Sequence, residues 1–107
     1  MARFAPTDIQ AAAKAAAEVP TAVRHLAAVI TESVEPLADL PAAATPQESL
    51  DALAALQRSQ DRVERARSEV IRQLHVCGAS PRGIALALGL NRQTIERRIA
   101  AAEAEMN

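Results

Sequence analysis

The stretch from Ser80 to Ile99, S-P-R-G-I-A-L-A-L-G-L-N-R-Q-T-I-E-R-R-I, decides the fold because it carries the start and end signals of two short helices. Ser80 and Pro81 start the first helix, since a hydroxyl accepts hydrogen bonds from free backbone N–H groups and proline at the first helical position gives up no useful donor. Gly89 ends this helix, because glycine adopts the left-handed conformation without steric cost. Asn91 is a favourable N-cap for the second helix.

Apolar side chains predict how the two helices pack. Ile84, Ala85 and Leu88 fall on one side of the first helix. Ile95 and Ile99, four residues apart, face inward from the second helix. The two apolar sides together predict a compact two-helix corner.

The turn between the helices is predicted to be tight. We expect Leu90 to fill it with its side chain. Ala85 lies where the helices cross and Gly89 where the chain bends, so a bulky residue at either position is expected to prevent close packing.

This stretch resembles the bacterial helix-turn-helix family, in the form found in sigma-factor region four, resolvase-type and actinobacterial regulator domains. The family pattern I-A-x-x-L-G-[IVL]-x-x-x-T-[VI]-x-R-R-[IL] is met at every spacing from Ile84 to Ile99. The resemblance implies DNA binding through the second helix, with phosphate contacts from Asn91 and Thr94. It implies base contacts from the exposed N-terminal positions of that helix, which are Arg92, Gln93, Glu96 and Arg97.

The chemistry of the second helix leads to the same base-contact assignment. Arginine suits the two acceptors of guanine, glutamine suits adenine, and glutamate can accept from cytosine N4. Glu96 has the alternative of pairing with Arg92, four residues earlier, and orienting that side chain. Arg82 and Arg98 are better placed for phosphates, where charge adds affinity without sequence information.

Composition indicates one small all-α protein. Its 107 residues include 26 alanines and one phenylalanine, and neither tyrosine nor tryptophan, which favours closely packed helices over sheets. A small core made largely of alanine is weak per residue, so we expect association between subunits to complete it.

Charge is unevenly distributed, although the formal net charge is only −1. Residues 58–98 contain nine arginines against four carboxylates, whereas residues 1–44 contain three basic and five acidic residues. This separation is expected where binding and association are separate tasks. We therefore interpret residues 1–44 as a helical association region, and residues 45–107 as a long helix leading into a DNA-binding helix-turn-helix.

The N-terminal region predicts two helices. Residues 1–6 are expected to be frayed, and Thr7 or Asp8 caps a first helix that reaches about Val19. Pro20 predicts a break or kink, after which a second helix runs to Pro36. Its core positions are Val23, Leu26, Val29, Ile30 and Val34.

A capping box, Thr45-Pro46-Gln47-Glu48, starts the long helix, which is expected to end at Val76 or Cys77 before Gly78. A polar run, residues 57–62, divides its apolar positions into two zones. We expect the zone at 63–77 to pack on the two short helices, and the zone at 50–56 to pack on residues 8–40 or on a second subunit.

Four arginines of the long helix share one face, at spacings of four, three and seven: Arg58, Arg62, Arg65 and Arg72. A solvated face is the favoured interpretation. Contact with phosphates flanking a binding site is the alternative.

Several classes of function lack support in the sequence. The lone Cys77 excludes an internal disulfide and fits a reducing cytoplasm. The histidines and the thiol are not spaced as a nucleophile with a base or as metal ligands, and no glycine-rich phosphate loop is present. No signal peptide or membrane-spanning stretch is apparent. We expect neither an enzyme nor a metal or cofactor protein, and the sequence does not identify a small-molecule effector.

The sequence thus predicts a cytoplasmic, nucleoid-associated bacterial regulator that binds double-stranded DNA as a homodimer formed through residues 8–56. One recognition helix contacts few base pairs, and two copies raise both affinity and specificity. The alternative is a helical interaction module, such as an adaptor or a phage packaging or plasmid partition component, whose helix-turn-helix contacts protein.

Overall fold

A computed structural model describes residues 3–106 and contains four helices within that range. Helix α1 spans Ile9–Ala38, α2 spans Pro46–Val76, α3 spans Pro81–Leu88 and α4 spans Arg92–Glu105. Helices α1 and α2 form a long antiparallel hairpin, and α4 packs against α2 and α3. The described chain measures 56 Å by 30 Å by 26 Å. The predicted all-α class is confirmed.

Helix α1 is continuous, which corrects the predicted division of this region at Pro20. Proline removes one helical donor and crowds the preceding turn. Here contacts along α2 bury α1 from Ala12 near its start to Ser33 near its end, and they offset that local loss. The helix also passes Pro36 and ends two residues later at Ala38, so the predicted end at Pro36 is wrong as well.

The predicted helix starts are confirmed at two of the long elements. Asp8 accepts a hydrogen bond from the Ala11 N–H at 3.0 Å at the start of α1. Thr45 Oγ1 accepts from the Glu48 N–H at 3.1 Å, and the Glu48 carboxylate accepts from the Thr45 N–H at 3.5 Å. The long helix ends at Val76, as predicted, and Gly78 follows it with a φ of 111°.

Two clusters of buried side chains hold the chain together. The first joins α1 to the middle of α2 and contains Leu26, Val29, Val63 and Ala66. The second joins the end of α2 to α3 and α4, and its members are Ile71, Leu74, Ala79, Ile84, Ala85, Ile95 and Ile99.

The division of α2 between its partners differs from the sequence prediction. Val63 and Ala66 pack on α1 and not on the short helices, where the zone at 63–77 was expected to lie. Helical periodicity identified these positions as buried but carries no information about which helix covers them. Only the last turns of α2, from Ile71 onward, contribute to the second cluster.

A three-residue turn joins α3 to α4. Gly89 has a φ of 69°, and the Gly89 and Leu90 N–H groups both donate to the Ala85 carbonyl oxygen. Backbone hydrogen bonds therefore close this turn, while Leu88 and Leu90 remain 52% and 42% exposed. The expected burial of these two leucines is wrong. A Cβ at Gly89 would meet no atom within 4 Å, so glycine is needed there for its backbone conformation and not for space.

The segment before α1 is ordered where the structure describes it. Phe4 forms an antiparallel bridge with Ala79, and the Ala5 N–H donates to the Gly78 carbonyl oxygen at 3.0 Å. The expected fraying is thus wrong for Phe4 and Ala5, while residues 1 and 2 lie outside the described range. A Cβ at Gly78 would lie 2.4 Å from the Pro6 nitrogen, so this close approach requires glycine.

Candidate nucleic-acid interface

Helix α4 has one buried face and one exposed face. Ile95 is fully buried and Ile99 nearly so, which fixes the inner face against α2 and α3. The residues predicted to contact bases are all exposed, together with the small residue that follows them: Arg92, Gln93, Glu96, Arg97 and Ala100. This exposed face leaves their polar groups accessible to a ligand.

A chain of hydrogen bonds organises the start of α4. Asn91 Oδ1 accepts from the Thr94 N–H at 2.8 Å and from the Thr94 hydroxyl at 3.0 Å. Thr94 Oγ1 in turn accepts from Arg97 Nη2 at 3.3 Å. The N-cap therefore orients Thr94, and Thr94 orients one nitrogen of the Arg97 guanidinium.

Arg92 and Glu96 form an ion pair on the exposed face, with 3.2 Å between Nε and Oε1. This is the pairing that the sequence offered as the alternative role for Glu96. Both side chains remain at least half exposed, so the pair contributes little to stability. Its effect is to orient Arg92 along the surface of α4.

Arg98 differs from the other arginines of α4 because it points into the contact with α2. Its Nη1 donates to Glu64 Oε2, and its side chain is only 23% exposed. Glu64 also pairs with Arg67 at 2.8 Å, which makes a three-residue ionic network. The Arg98 Nε is buried and has no hydrogen-bond partner among the described residues. This geometry fixes α4 on α2 and leaves most of the Arg98 side chain covered.

Arg82 lies apart from α4, exposed in the first turn of α3. Ser80 caps this helix by accepting from the Gly83 N–H at 3.0 Å. Arg82 takes part in no ion pair within the described residues, so its charge is available to solvent or to a ligand.

Three of the four arginines on the predicted face of α2 pair with carboxylates. Arg62 pairs with Glu32 at 2.9 Å, and Arg65 lies 3.8 Å from Glu105. Arg72 makes two hydrogen bonds to Glu69, at 3.0 Å and 2.6 Å. These partners favour the interpretation of a charged protein surface for this face over contact with phosphates.

Glu69 on α2 and Cys77, the residue that follows α2, have shifted pKa values. Hydrogen bonds from Arg72, with a smaller contribution from Gln73, lower the pKa of Glu69, although partial burial opposes the shift. Burial raises the pKa of the Cys77 thiol, which lies 3.8 Å from the Ala12 carbonyl oxygen. A raised pKa disfavours the thiolate, so Cys77 has the character of a packing residue.

Sequence reasoning missed Glu64, which connects α2 to α4. Its spacing of three residues from Arg67 was visible as a local pair on one helix. Its contact with Arg98 joins residues 34 positions apart, and periodicity does not report such contacts.

The chain matches no family model, no curated protein and no solved structure. Among residues 3–106, no three histidine, cysteine or acidic side chains are grouped as metal ligands. No described helix is both long and apolar enough to cross a membrane. A function has to be inferred from the exposed face of α4 and from helices α2 and α3, which position it.

Proposed function

We propose that this protein is a sequence-specific double-stranded DNA-binding protein, a bacterial transcriptional regulator that acts as a homodimer. In this proposal α3, the turn at Gly89 and α4 form a helix-turn-helix, and α4 enters the major groove. An α-helix fits that groove, where each base pair presents a distinct pattern of donors and acceptors.

The observation that carries the proposal is the division of α4 into two faces. Buried Ile95 and Ile99 anchor one face, and guanidinium and amide groups extend from the other. Here Asn91 and Thr94 hold one nitrogen of Arg97.

The proposed roles follow from the position of each side chain. Arg92, Gln93 and Arg97 contact base edges, and Glu96 orients Arg92 through their ion pair. For phosphate contacts, the exposed position of Arg82 fits the role best, with Asn91 and Thr94 at the start of α4. The network with Glu64 favours a positioning role for Arg98, which keeps α4 at a fixed angle on α2.

The test begins with selection of bound sequences from a random duplex pool, followed by binding measurements at controlled salt. Arg97→Ala is expected to weaken binding to the selected site by about 5- to 150-fold, the equivalent of the roughly 1–3 kcal/mol of a good base contact. Its effect on random duplex is expected to be smaller. Arg82→Ala is expected to weaken binding to both duplexes alike.

Arg24→Ala is the matched control, because it removes an exposed arginine from α1, a helix that does not pack on α4. This variant should bind both duplexes as the unmodified protein does. Equal losses from all three substitutions would contradict the role assignment, and the absence of any enriched sequence would contradict sequence-specific binding.

A second candidate function is a helical interaction module that uses the short helices to contact protein. The observation that favours it is an exposed apolar patch on α3 and the turn, where Leu86 is 75% exposed and Leu88 and Leu90 are about half exposed. Salt dependence separates the two functions. Binding to DNA through several arginines weakens steeply as salt rises, whereas an apolar protein contact does not.

A further inference from the structure

An open groove lies between α2 and α4, beside the contact of Arg98 with Glu64. It encloses about 330 Å³, near the lower end of the roughly 300–1,000 Å³ of small-molecule pockets. Ser68 lines it from α2, and four residues line it from α4: Thr94, Arg97, Arg98 and Ala101. Two guanidinium groups and two hydroxyl groups therefore border the groove.

Ser68 is a buried side chain whose hydroxyl lacks a partner. It is only 7% exposed, and it makes no hydrogen bond with any residue from 3 to 106. The other serines behave differently, since Ser33, Ser49 and Ser59 donate to carbonyl oxygens within one turn of their helix and Ser80 caps α3. A buried hydroxyl without a partner costs free energy, and a ligand in the groove that Ser68 lines would remove that cost.

The arginines of the groove offer more donors than the chain uses. A guanidinium carries five N–H donors and no acceptor. Arg97 donates to Thr94 Oγ1 at 3.3 Å and forms no ion pair within the described residues. Arg98 donates to Glu64 through Nη1, while its Nε has no partner in the described chain. Because Thr94 gives its own hydroxyl proton to Asn91, its oxygen serves to orient Arg97. This excess of donors suits a ligand that consists of acceptors.

The charge around the groove is positive. Glu64 is shared between Arg67 and Arg98, and with Arg97 these residues make three arginines and one carboxylate, a net charge of +2. Among the residues that the structure describes, no carboxylate lines the groove itself. A phosphate group on a hydroxyl carries a charge of about −1.5 to −2 at neutral pH and three strong acceptor oxygens. It matches the groove in charge and in hydrogen bonding.

We propose that this groove is a binding site for a phosphate group, which accepts hydrogen bonds from the Ser68 hydroxyl and from the guanidinium groups of Arg97 and Arg98. Arginine suits this ligand because its planar fork donates two parallel N–H groups to phosphate oxygens. Two sources carry this chemistry, a free phosphorylated small molecule and the backbone of DNA. The site itself does not depend on the proposed function, whereas the second source does.

Arg97 connects the groove to the exposed face of α4. At about 100° per residue, it is turned roughly 40–60° from Gln93 and Ala100 on one side and from Thr94 and Ala101 on the other. The same side chain can therefore serve a phosphate in the groove or a base edge, but not both. A free phosphate ligand thus lowers the affinity for a specific DNA site, a consequence that rests on the proposed function.

The first test uses inorganic phosphate as the probe and follows the backbone amide signals by NMR at neutral pH. Chloride replaces phosphate to keep the ionic strength constant, because screening alone alters exposed charges. The signals of Ser68, Arg97 and Arg98 should shift and saturate. Ser68→Ala and Arg97→Ala should each weaken phosphate binding by about 10-fold or more, through loss of a hydrogen bond to a charged group.

Two matched controls separate the groove from general effects. Ser33→Ala removes a hydroxyl from a serine that is 6% exposed on α1, and Arg24→Ala removes an exposed arginine from the same helix. Both variants should bind phosphate as the unmodified chain does. Arg97→Ala changes an exposed side chain, so it remains informative if circular dichroism shows that Ser68→Ala loosens the fold. The absence of saturable shifts, or unchanged phosphate affinity in either groove variant, would overturn the site.

A second measurement identifies the source of the phosphate group by titrating the selected duplex with and without inorganic phosphate at constant ionic strength. If a free ligand fills the groove, phosphate weakens duplex binding by the unmodified chain, while Ser68→Ala binds duplex normally and resists phosphate. If the DNA backbone fills it, Ser68→Ala weakens binding to selected and random duplexes alike. Duplex affinity that phosphate leaves unchanged would overturn the sharing of Arg97. Phosphate binding in the groove by a chain that binds no duplex would refute the proposed function and leave the phosphate site standing.

Discussion

The same substitution at two glycines should have different costs, because only one of them faces another segment of the chain. A Cβ at Gly78 would lie 2.4 Å from the Pro6 nitrogen and 2.6 Å from two backbone atoms of Ala5. A Cβ at Gly89 would meet nothing within 4 Å. Both glycines have positive φ, so both substitutions strain the backbone: about 1–2 kcal/mol at Gly89, whose φ of 69° is left-handed, and about 1–3 kcal/mol at Gly78, whose φ of 111° lies beyond that region. Gly78→Ala must also displace the N-terminal segment.

The displacement adds a second contribution that can be worked out from the contacts. It breaks the hydrogen bond from the Ala5 N–H to the Gly78 carbonyl oxygen, which is worth about 0.5–1.5 kcal/mol. It also uncovers Ala79, which is only 1% exposed in the folded chain. We therefore expect Gly78→Ala to lower the free energy of unfolding by about 2–4 kcal/mol, against about 1–2 kcal/mol for Gly89→Ala.

Urea unfolding followed by circular dichroism measures both costs, and a chain that lacks residues 1–6 isolates the second contribution. In that shortened chain Gly78→Ala should cost only the backbone strain, and therefore less than in the full chain. An equal cost of Gly78→Ala in the full and shortened chains would refute the argument that Gly78 is needed for the close approach of the N-terminal segment.

Three further predictions concern the core, a cap and an ion pair. Ile95→Ala should lower the free energy of unfolding by about 2–5 kcal/mol, because the side chain is fully buried, and a loss below about 1 kcal/mol in thermal unfolding would contradict its central position. Thr45→Ala should cost about 0.5–2 kcal/mol through loss of the capping box, measured by urea unfolding, with the exposed Ser49→Ala as a control expected to cost less. Arg72 lowers the pKa of Glu69 below the ordinary value of 4.5, so the stabilisation is complete above that value and is lost as pH falls through the folded-state pKa. The stability advantage over Glu69→Gln, measured by urea unfolding across a pH series, should therefore be present at neutral pH and disappear in acid, and an advantage that persists in acid would contradict this origin.

The ends of the helices could be predicted from the sequence because local chemistry decides them. Thr45, Ser80 and Asn91 each cap a helix through their own side-chain oxygen, and each bond spans only three residues. Gly89 ends α3 through its own backbone conformation. Such features require no knowledge of the rest of the fold.

The partners of the buried faces could not be predicted in the same way. Val63 and Ala66 were identified as apolar positions, yet they pack on α1 and not on the short helices. Periodicity gives the direction of a face relative to its own helix axis and nothing about the neighbouring helix. The continuity of α1 through Pro20 has the same origin, since contacts with α2 outweigh a local helix-breaking signal.

The arginines of the candidate interface show the limit of residue type as a guide to role. Arg97 and Arg98 are neighbours in the sequence and both were assigned to DNA. The structure exposes Arg97 beside Thr94 and directs Arg98 into the contact with Glu64. Adjacent helical positions point about 100° apart, so one side chain can face outward while the next is held in the packing.

Helix α2 links the two buried clusters of the chain. Val63 and Ala66 in its middle pack on α1, Glu64 between them pairs with Arg98 of α4, and Ile71 in its last turns packs on α3 and α4. One helix of 31 residues thus carries the contacts with α1 and the contacts that position α4. Loss of the Glu64–Arg98 pair should therefore loosen α4 on α2 and leave the packing of α1 on α2 intact, because the pair is not part of that cluster.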